Sequence, residues 1–304
     1  MNNKLKHFVD LDIIDSESIR QILNTGHRLK ESKETKNYLQ SKILSMIFEK
    51  PSTRTRISFE VGMKQLGGDV VTLDHADTQL GRGESIEDTI KVISQYVDII
   101  MYRGSAESRL KEILSVSKVP VINGLTDESH PCQIMADIMT IEEHFRTLEG
   151  IEICWLGDGN NVCNSWIDSC KHFNFNLRIC TPSQHKPKFS RIEKINKFNQ
   201  NIKFFEQPID AVKNANVLVT DTWSSMGTEN SKKRIEKFKD FQVNTKLIKH
   251  ANNNVVFLHC MPAHRGQEVS SEIMDGEKSL VFTEAYNRLF IQKSILLWCM
   301  QVNS

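Results

Sequence analysis

The feature that most restricts the fold of this chain is a repeated alternation of short apolar runs, rich in β-branched residues, with segments of helical spacing. ILSMIF (43–48), DVVTL (69–73), DIIMY (98–102) and VPVIN (119–123) form one series, each followed by a helix pattern or a loop. A second series starts after Gly150: IEICWLG (151–157), LRIC (177–180), IKFF (202–205), NVLVT (216–220), VVFLH (255–259) and LVF (280–282). Strands that alternate with helices pair in parallel, because each helix returns the chain to the starting edge of the sheet. The 304 residues also exceed one typical domain of about 100–200 residues. The pattern therefore predicts an α/β fold of two doubly wound parallel-sheet domains joined by helices.

Gly150 marks the boundary, so a first domain is expected over 1–148 and a second over 149–284. The apolar helix after His130 (IMADIMTIEEHF) carries the chain across, and the last helix, within 285–304, is expected to pack back on the first domain. Residues 16–30 repeat Ile19, Ile22, Leu23 and Leu29 along one helix face. Ser85 stands as the N-cap of a further helix, with Asp88 three residues on.

Charge and composition exclude several classes. With 39 basic and 38 acidic residues the formal net charge is +1, which leaves no broad positive surface for nucleic acid or for a membrane. No run approaches the roughly 18 apolar residues of a membrane span, and the N-terminal MNNKLKHFVDLDIID has no apolar signal region. A soluble, cytoplasmic protein is expected. The seven cysteines are odd in number and form no C-x-x-C pair, so free thiols in a reducing compartment are expected.

Functional positive charge must then be local, and FEKPSTRTRISFE (48–60) supplies it. A strand ends at Phe48, Pro51 suits the turn, and a helix begins near Ser52. Helix N-terminal N–H groups lack intrahelical partners and carry the positive end of the macrodipole, which suits an anion. Arg54 adds a guanidinium fork matched to phosphate or carboxylate oxygens. The same residues also suit an ordinary capped helix with solvated arginines. No G-x-x-x-x-G-K-[ST] loop is present, and LGDGNN (156–161) lacks the G-x-G-x-x-G spacing of a dinucleotide site, so no nucleotide cofactor is expected. TQLGRGES (78–85) reads as a mobile loop. Asp221, at the end of NVLVT, suits either a turn cap or an ammonium group. Cys260 follows VVFLH at the strand end where open α/β sheets bind ligands.

Taken in order, FEKPSTRTR, TQLGRGES, MYRG (101–104), HPCQ (130–133), GDGNN (157–161), DTWSSMG (221–227), HCMPAHRG (259–266) and EAYNR (284–288) resemble the motifs of the aspartate/ornithine transcarbamylase family, over about residues 8 to 302. The resemblance implies carbamoyl phosphate as donor, gripped by Ser52, Thr53, Arg54 and Thr55 at its phosphate and by Arg103, His130 and Gln133 at its carbamoyl end. Arg288, Cys260 and Met261 complete that set. Gln79 is implied to reach a neighbouring subunit's site, and hence a homotrimer. The Ser-Met-Gly loop after an Asp marks the ornithine branch, which implies L-ornithine as acceptor, held by Asn161, Asp221, Ser225 and Met226, and L-citrulline and phosphate as products. Arg54, Arg103, His130, Asp221 and Cys260 are the implied catalytic residues, without metal or cofactor. The implied setting is arginine biosynthesis.

Two positions depart from the family pattern: Met261, where Leu is common, and Tyr286, where Glu is usual. Met for Leu is nearly volume-conserving; Tyr286 removes a usual neighbour of Arg288. The family also implies a cis peptide between Met261 and Pro262. Arg56 is expected to face away from the site as structural support.

Overall fold

The computed structural model describes residues 5–32, 36–74, 83–197, 201–223 and 231–302. Nine strands are found among them: β1 Ile43–Phe48, β2 Asp69–Asp74, β3 Ile99–Arg103, β4 Val121–Leu125, β5 Glu152–Leu156, β6 Asn176–Cys180, β7 Ile202–Phe205, β8 Val217–Thr220 and β9 Val256–His259. The helices are α1 Ser16–Ser32, α2 Thr53–Gln65, α3 Ile86–Ile93, α4 Glu107–Val116, α5 Pro131–Phe145, α6 Asn161–Ser169, α7 Phe189–Asn196, α8 Pro208–Val212, α9 Ser231–Phe238, α10 Ser271–Met274 and α11 Val281–Cys299.

Two compact units form: residues Met1–Met139 with Asn287–Ser304, and residues Thr140–Tyr286. Each holds one all-parallel sheet, ordered β2-β1-β3-β4 in the first and β7-β6-β5-β8-β9 in the second. The expected α/β class with two parallel sheets is therefore what the chain adopts. The central strands β1, β3, β5 and β8 are buried along nearly their whole length, as parallel sheets covered by helices require.

The first core gathers Ile47, Ile86, Ile90, Ile100, Tyr102, Leu110, Ile113 and Val121. The N-terminal segment extends this sheet at β4: Phe8 N–H donates to Val121 O (2.9 Å) and its carbonyl accepts from Asn123 N–H (2.8 Å). Phe8 is fully buried and meets the Trp298 ring edge-on at 6.4 Å. The second core is built on Leu156, Leu218, Trp223, Phe238 and Phe257. Ser85 caps α3 through Asp88 N–H, as its spacing predicts. The expected cis peptide Met261-Pro262 is present.

Two strand expectations are corrected. VPVIN begins its ladder only at Val121, because Pro120 has no N–H to offer; its carbonyl still accepts from Ile100. LVF (280–282) is not a sixth strand of the second sheet. Ser279 makes one isolated bridge to Phe257 and the chain enters α11 at Val281, burying Val281 while Phe282 stays exposed.

Because Phe8 joins β4 to Trp298 with no exposed surface, Phe8→Ala is expected to lower the stability of the first unit by about 3–5 kcal/mol. Chemical denaturation of the variant against the parent chain measures this.

Candidate active site

In each sheet the strand order reverses once, between β1 and β3 in the first unit and between β5 and β8 in the second. Connections leave in opposite directions at such a point, so a crevice opens at the carboxyl ends of the two strands. The sequence motifs lie at these two points. In the first unit Phe48 and Arg103 are registered neighbours at the ends of β1 and β3. In the second, Leu156 is registered with Thr220, and Thr220 with His259, so Asp158, Asp221 and Cys260 follow from adjacent strand ends.

The first unit builds a basic cluster. Ser52 is the N-cap of α2 but makes no side-chain capping bond, and the first turn holds no acidic residue. The positive end of the helix is thus not answered by its own cap, unlike the ordinary capped helix that the sequence also allowed. Thr55, on the first turn and 1% exposed, accepts from Arg103 NH1 at 2.9 Å and from Arg288 NH2 at 3.4 Å. Arg288 NH1 donates to Gln133 Oε1 at 2.5 Å, and Gln133 Nε2 donates to Asp137 Oδ1 at 2.8 Å. Arg288 is therefore seated by Gln133 and Thr55, while Tyr286 is an exposed residue of the second unit.

His130, at the start of α5, is 4% exposed. Burial, then Arg288, Arg103 and Arg54, hold its pKa well below the ordinary imidazole value. A neutral ring among three guanidiniums is a hydrogen-bonding group, and the positive charge remains on the arginines. Arg54 is exposed on the first turn of α2. Arg56 pairs instead with Asp74 and lies over the Phe48 ring at 5.0 Å, the supporting role expected of it.

The second unit builds an acidic and thiol site. Asp221 Oδ1 accepts from Thr222 N–H at 2.7 Å and from the Cys260 thiol at 3.1 Å; Oδ2 accepts from Asn160 Nδ2 at 2.7 Å. The turn-cap reading of Asp221 is thus realised through Thr222 N–H, with the Cys260 thiol on the same oxygen. Asn160 in turn caps α6, accepting from Val162 and Cys163 N–H, and Asn161 begins that helix. Cys260 is the single half-exposed cysteine; the other six are buried, and burial raises their thiol pKa values.

Behind Cys260 lies a buried pair, His259 and Glu268, both 0% exposed. His259 Nδ1 accepts from Met261 N–H at 2.8 Å, which fixes the ring proton on Nε2, 3.2 Å from Glu268 Oε1. His259 N–H also donates to Glu284 Oε2 at 3.0 Å. Asp221, His259 and Cys260 bring their ligand atoms within 4.8 Å of one another, a spacing suited to an ion. Both ring nitrogens of His259 are already committed, so hydrogen bonding accounts for the cluster.

Gln79, Ser225 and Met226, with Arg82, lie outside the described residues. Among the rest, the first unit brings together Thr55, Arg103, His130, Gln133 and Arg288 with the α2 N-terminus, and the second brings together Asp221 and Cys260 beside Asn161 and Met261. Sequence reasoning did not single out Asn160, His259 or Glu268. An Asn ahead of an apolar helix is a capping signal that would have marked Asn160. The His259–Glu268 pair spans nine positions and carries no local signal.

The chain matches the family model described as aspartate/ornithine carbamoyltransferase, carbamoyl-P binding domain, over residues 6–143. It matches the Asp/Orn binding domain model of the same family over residues 149–299. It belongs to the aspartate/ornithine carbamoyltransferase family. Among curated relatives, the ornithine carbamoyltransferase of Rhodopseudomonas palustris (strain BisA53) is 48% identical over 98% of both chains. Among solved structures, the ornithine carbamoyltransferase from Pyrococcus furiosus has a TM-score of 0.94 at 39% identity, covering 98% of each chain. The anabolic ornithine carbamoyltransferase from Campylobacter jejuni subsp. jejuni NCTC 11168 has a TM-score of 0.91 at 39% identity, over 97% of this chain and 99% of that one. Thr55, Arg103, His130 and Gln133 of the basic cluster fall in the family's carbamoyl-P model, while Arg288 and the Asp221–Cys260 pair fall in its Asp/Orn model.

The depressed His130 pKa has a measurable sign. Near pH 6.5 the unfolded chain takes up a proton on this side chain and the folded chain does not. The site's contribution to stability is therefore full above about pH 6.5 and is lost as the pH falls below it. NMR titration of the imidazole is expected to show a neutral ring from pH 8 down to 6.

Proposed function

We propose that this chain is an ornithine carbamoyltransferase, transferring the carbamoyl group of carbamoyl phosphate to the δ-amine of L-ornithine to give L-citrulline and phosphate. The observation that carries the choice of acceptor is the 3.1 Å contact of Cys260 with Asp221, a carboxylate and a thiol suited to an ammonium-bearing substrate. The DTWSSMG sequence after β8 agrees with it.

Carbamoyl phosphate is assigned to the first unit. Ser52, Thr53, Arg54 and Thr55 bind its phosphate, with the unanswered α2 N-terminus behind them. Arg103, His130 and the Thr55 hydroxyl aim donors at the carbonyl oxygen, where negative charge grows as the amine attacks. Gln133 and Arg288 hold that end. L-ornithine is assigned to Asn161, Asp221, Ser225 and Met226 of the second unit.

The acceptor amine resembles that of lysine, with a pKa near 10.4, so presenting it neutral at about pH 7.5 costs about 4 kcal/mol. Asp221 and Cys260 orient the δ-nitrogen and accept its proton. The nitrogen lone pair forms the new C–N bond, the C–O bond to phosphate breaks, and phosphate leaves with that electron pair. No covalent intermediate is formed on the chain.

We read the protein as a cytoplasmic homotrimer acting in arginine biosynthesis. Supporting the assembly, α2 and the edge strand β2 leave Ile57, Val61 and Val71 exposed, and β2 ends at Asp74, immediately before the segment that carries Gln79. Gln79 then serves a neighbouring subunit's site. No described helix is long and apolar enough to cross a membrane.

The direct test is citrulline formation from carbamoyl phosphate and ornithine against a panel of amines including N-acetylornithine and putrescine; no turnover with ornithine would refute the assignment. Cys260→Ala is expected to lower kcat by about 100-fold and to alter its pH profile. Arg54→Ala is expected to weaken carbamoyl-phosphate binding and slow turnover together, by about 100-fold in kcat/KM. Light scattering of the purified chain is expected to give the mass of three chains.

A further inference from the structure

Glu49 follows β1 within FEKPSTRTR and is not among the residues assigned to substrate. Its carboxylate Oε2 accepts from the Tyr102 hydroxyl at 2.8 Å, and Oε1 lies 3.0 Å from Arg109 NH1. Its backbone N–H donates to Arg103 O at 2.9 Å. Gly104 completes the pattern: a Cβ there would lie 2.6 Å from Glu49 Oε2 and collide with the Tyr102 hydroxyl. Each residue of Tyr102-Arg103-Gly104 is therefore held by, or shaped to, this one side chain and its amide.

The setting makes the contact rigid. Tyr102 is 0% exposed and packs in the first core. Burial, reinforced by Glu49, pushes its hydroxyl pKa far above the ordinary value, so the hydroxyl remains a donor across the physiological range. Between Tyr102 and Arg103 the pairing with β4 shifts register, Tyr102 opposing Asn123 and Arg103 opposing Leu125. A bulge re-aims the side chain that follows it but also loosens the ladder there. On the other side of β3 the Glu49 N–H carries the unbroken β1 ladder on to Arg103 O, and Arg103 then reaches Thr55 Oγ1 at 2.9 Å. Glu49 also stands three residues before Ser52, so it governs how the chain leaves β1 toward α2.

We infer that Glu49, acting through Tyr102 and Arg109, is a positioning residue that fixes Arg103, opposite the β4 bulge, against the α2 N-terminus and so sets affinity for the carbamoyl-phosphate dianion. The inference rests on the reading of the first unit as the carbamoyl-phosphate site. Arg109 closes the network from its half-exposed side, its side chain 38% accessible against 15% for Glu49. Tyr102→Phe removes only the buried hydroxyl. Glu49→Gln keeps an acceptor for Tyr102 but removes the charge, and Glu49→Ala removes both.

The test is calorimetric titration of the parent chain and of Tyr102→Phe, Glu49→Gln, Glu49→Ala and Arg109→Ala with carbamoyl phosphate. Ornithine KM at saturating carbamoyl phosphate and thermal midpoints are measured alongside. Tyr102→Phe and Glu49→Gln are expected to weaken carbamoyl-phosphate binding about 10-fold or more, as loss of a buried charge-assisted bond does. Glu49→Ala should be worse than Glu49→Gln, and ornithine KM should stay within about twofold. The Tyr102→Phe/Glu49→Ala double variant should be no weaker than Glu49→Ala alone, since both act through one contact. Half-exposed Arg109→Ala, the variant least able to disturb folding, should weaken binding in the same direction. Unchanged carbamoyl-phosphate affinity in Tyr102→Phe and Arg109→Ala would overturn the inference, as would thermal midpoints and both substrate constants falling together. A parent chain that does not take up carbamoyl phosphate would overturn the underlying reading instead, and the inference with it.

Discussion

The constraint on which the site depends is the single reversal of strand order in each parallel sheet. A right-handed crossover has to leave β1 toward β2 on one side and reach β3 on the other, so the carboxyl ends of β1 and β3 are not roofed by one connection. The same holds at β5 and β8. Whatever residues follow those strands are left facing an opening, backed by a buried sheet that does not yield. In this chain they are Glu49 to Thr55 and Arg103 in one unit, and Asp158 to Asn161 and Asp221 in the other.

The two openings are complementary in chemistry. Around Thr55 the guanidiniums of Arg103 and Arg288, the neutral ring of His130 and the N-terminus of α2 make a place that favours a compact dianion. Around Asp221 an anion is kept beside a thiol by bonds from Asn160 and Thr222, with the buried His259–Glu268 pair fixing the backbone after Cys260. Positioning and charge, rather than a covalent nucleophile, are what such a pair of sites supplies to group transfer.

Much of this was legible in the chain. The strand runs ILSMIF, DVVTL and DIIMY fall within a residue or so of β1, β2 and β3; for β1 and β3 this is because buried parallel strands must be continuous apolar runs and little else is. LVF misled for a related reason: three apolar residues suit a strand or a first helical turn equally, and only the approach of Phe257 and the length of α11 decide between them. Glu49 could be quoted from the sequence without its role being visible. Its partners Tyr102 and Arg109 stand 53 and 60 positions away, and nothing local to FEKPST indicates them.

The sequence by itself determined the class of fold, the number of sheets and the residue types at the two openings, since periodicity, turn residues and ordered motifs are local properties. The tertiary structure decided which of those residues meet. Parallel pairing brings Phe48 beside Arg103 and Thr220 beside His259, and a one-residue bulge at β4 sets how Arg103 is presented. Burial among arginines, which no local pattern records, makes His130 neutral. The physical reason is the same in each case: hydrogen bonds and electrostatic fields act over a few ångströms of space, whatever the separation along the chain.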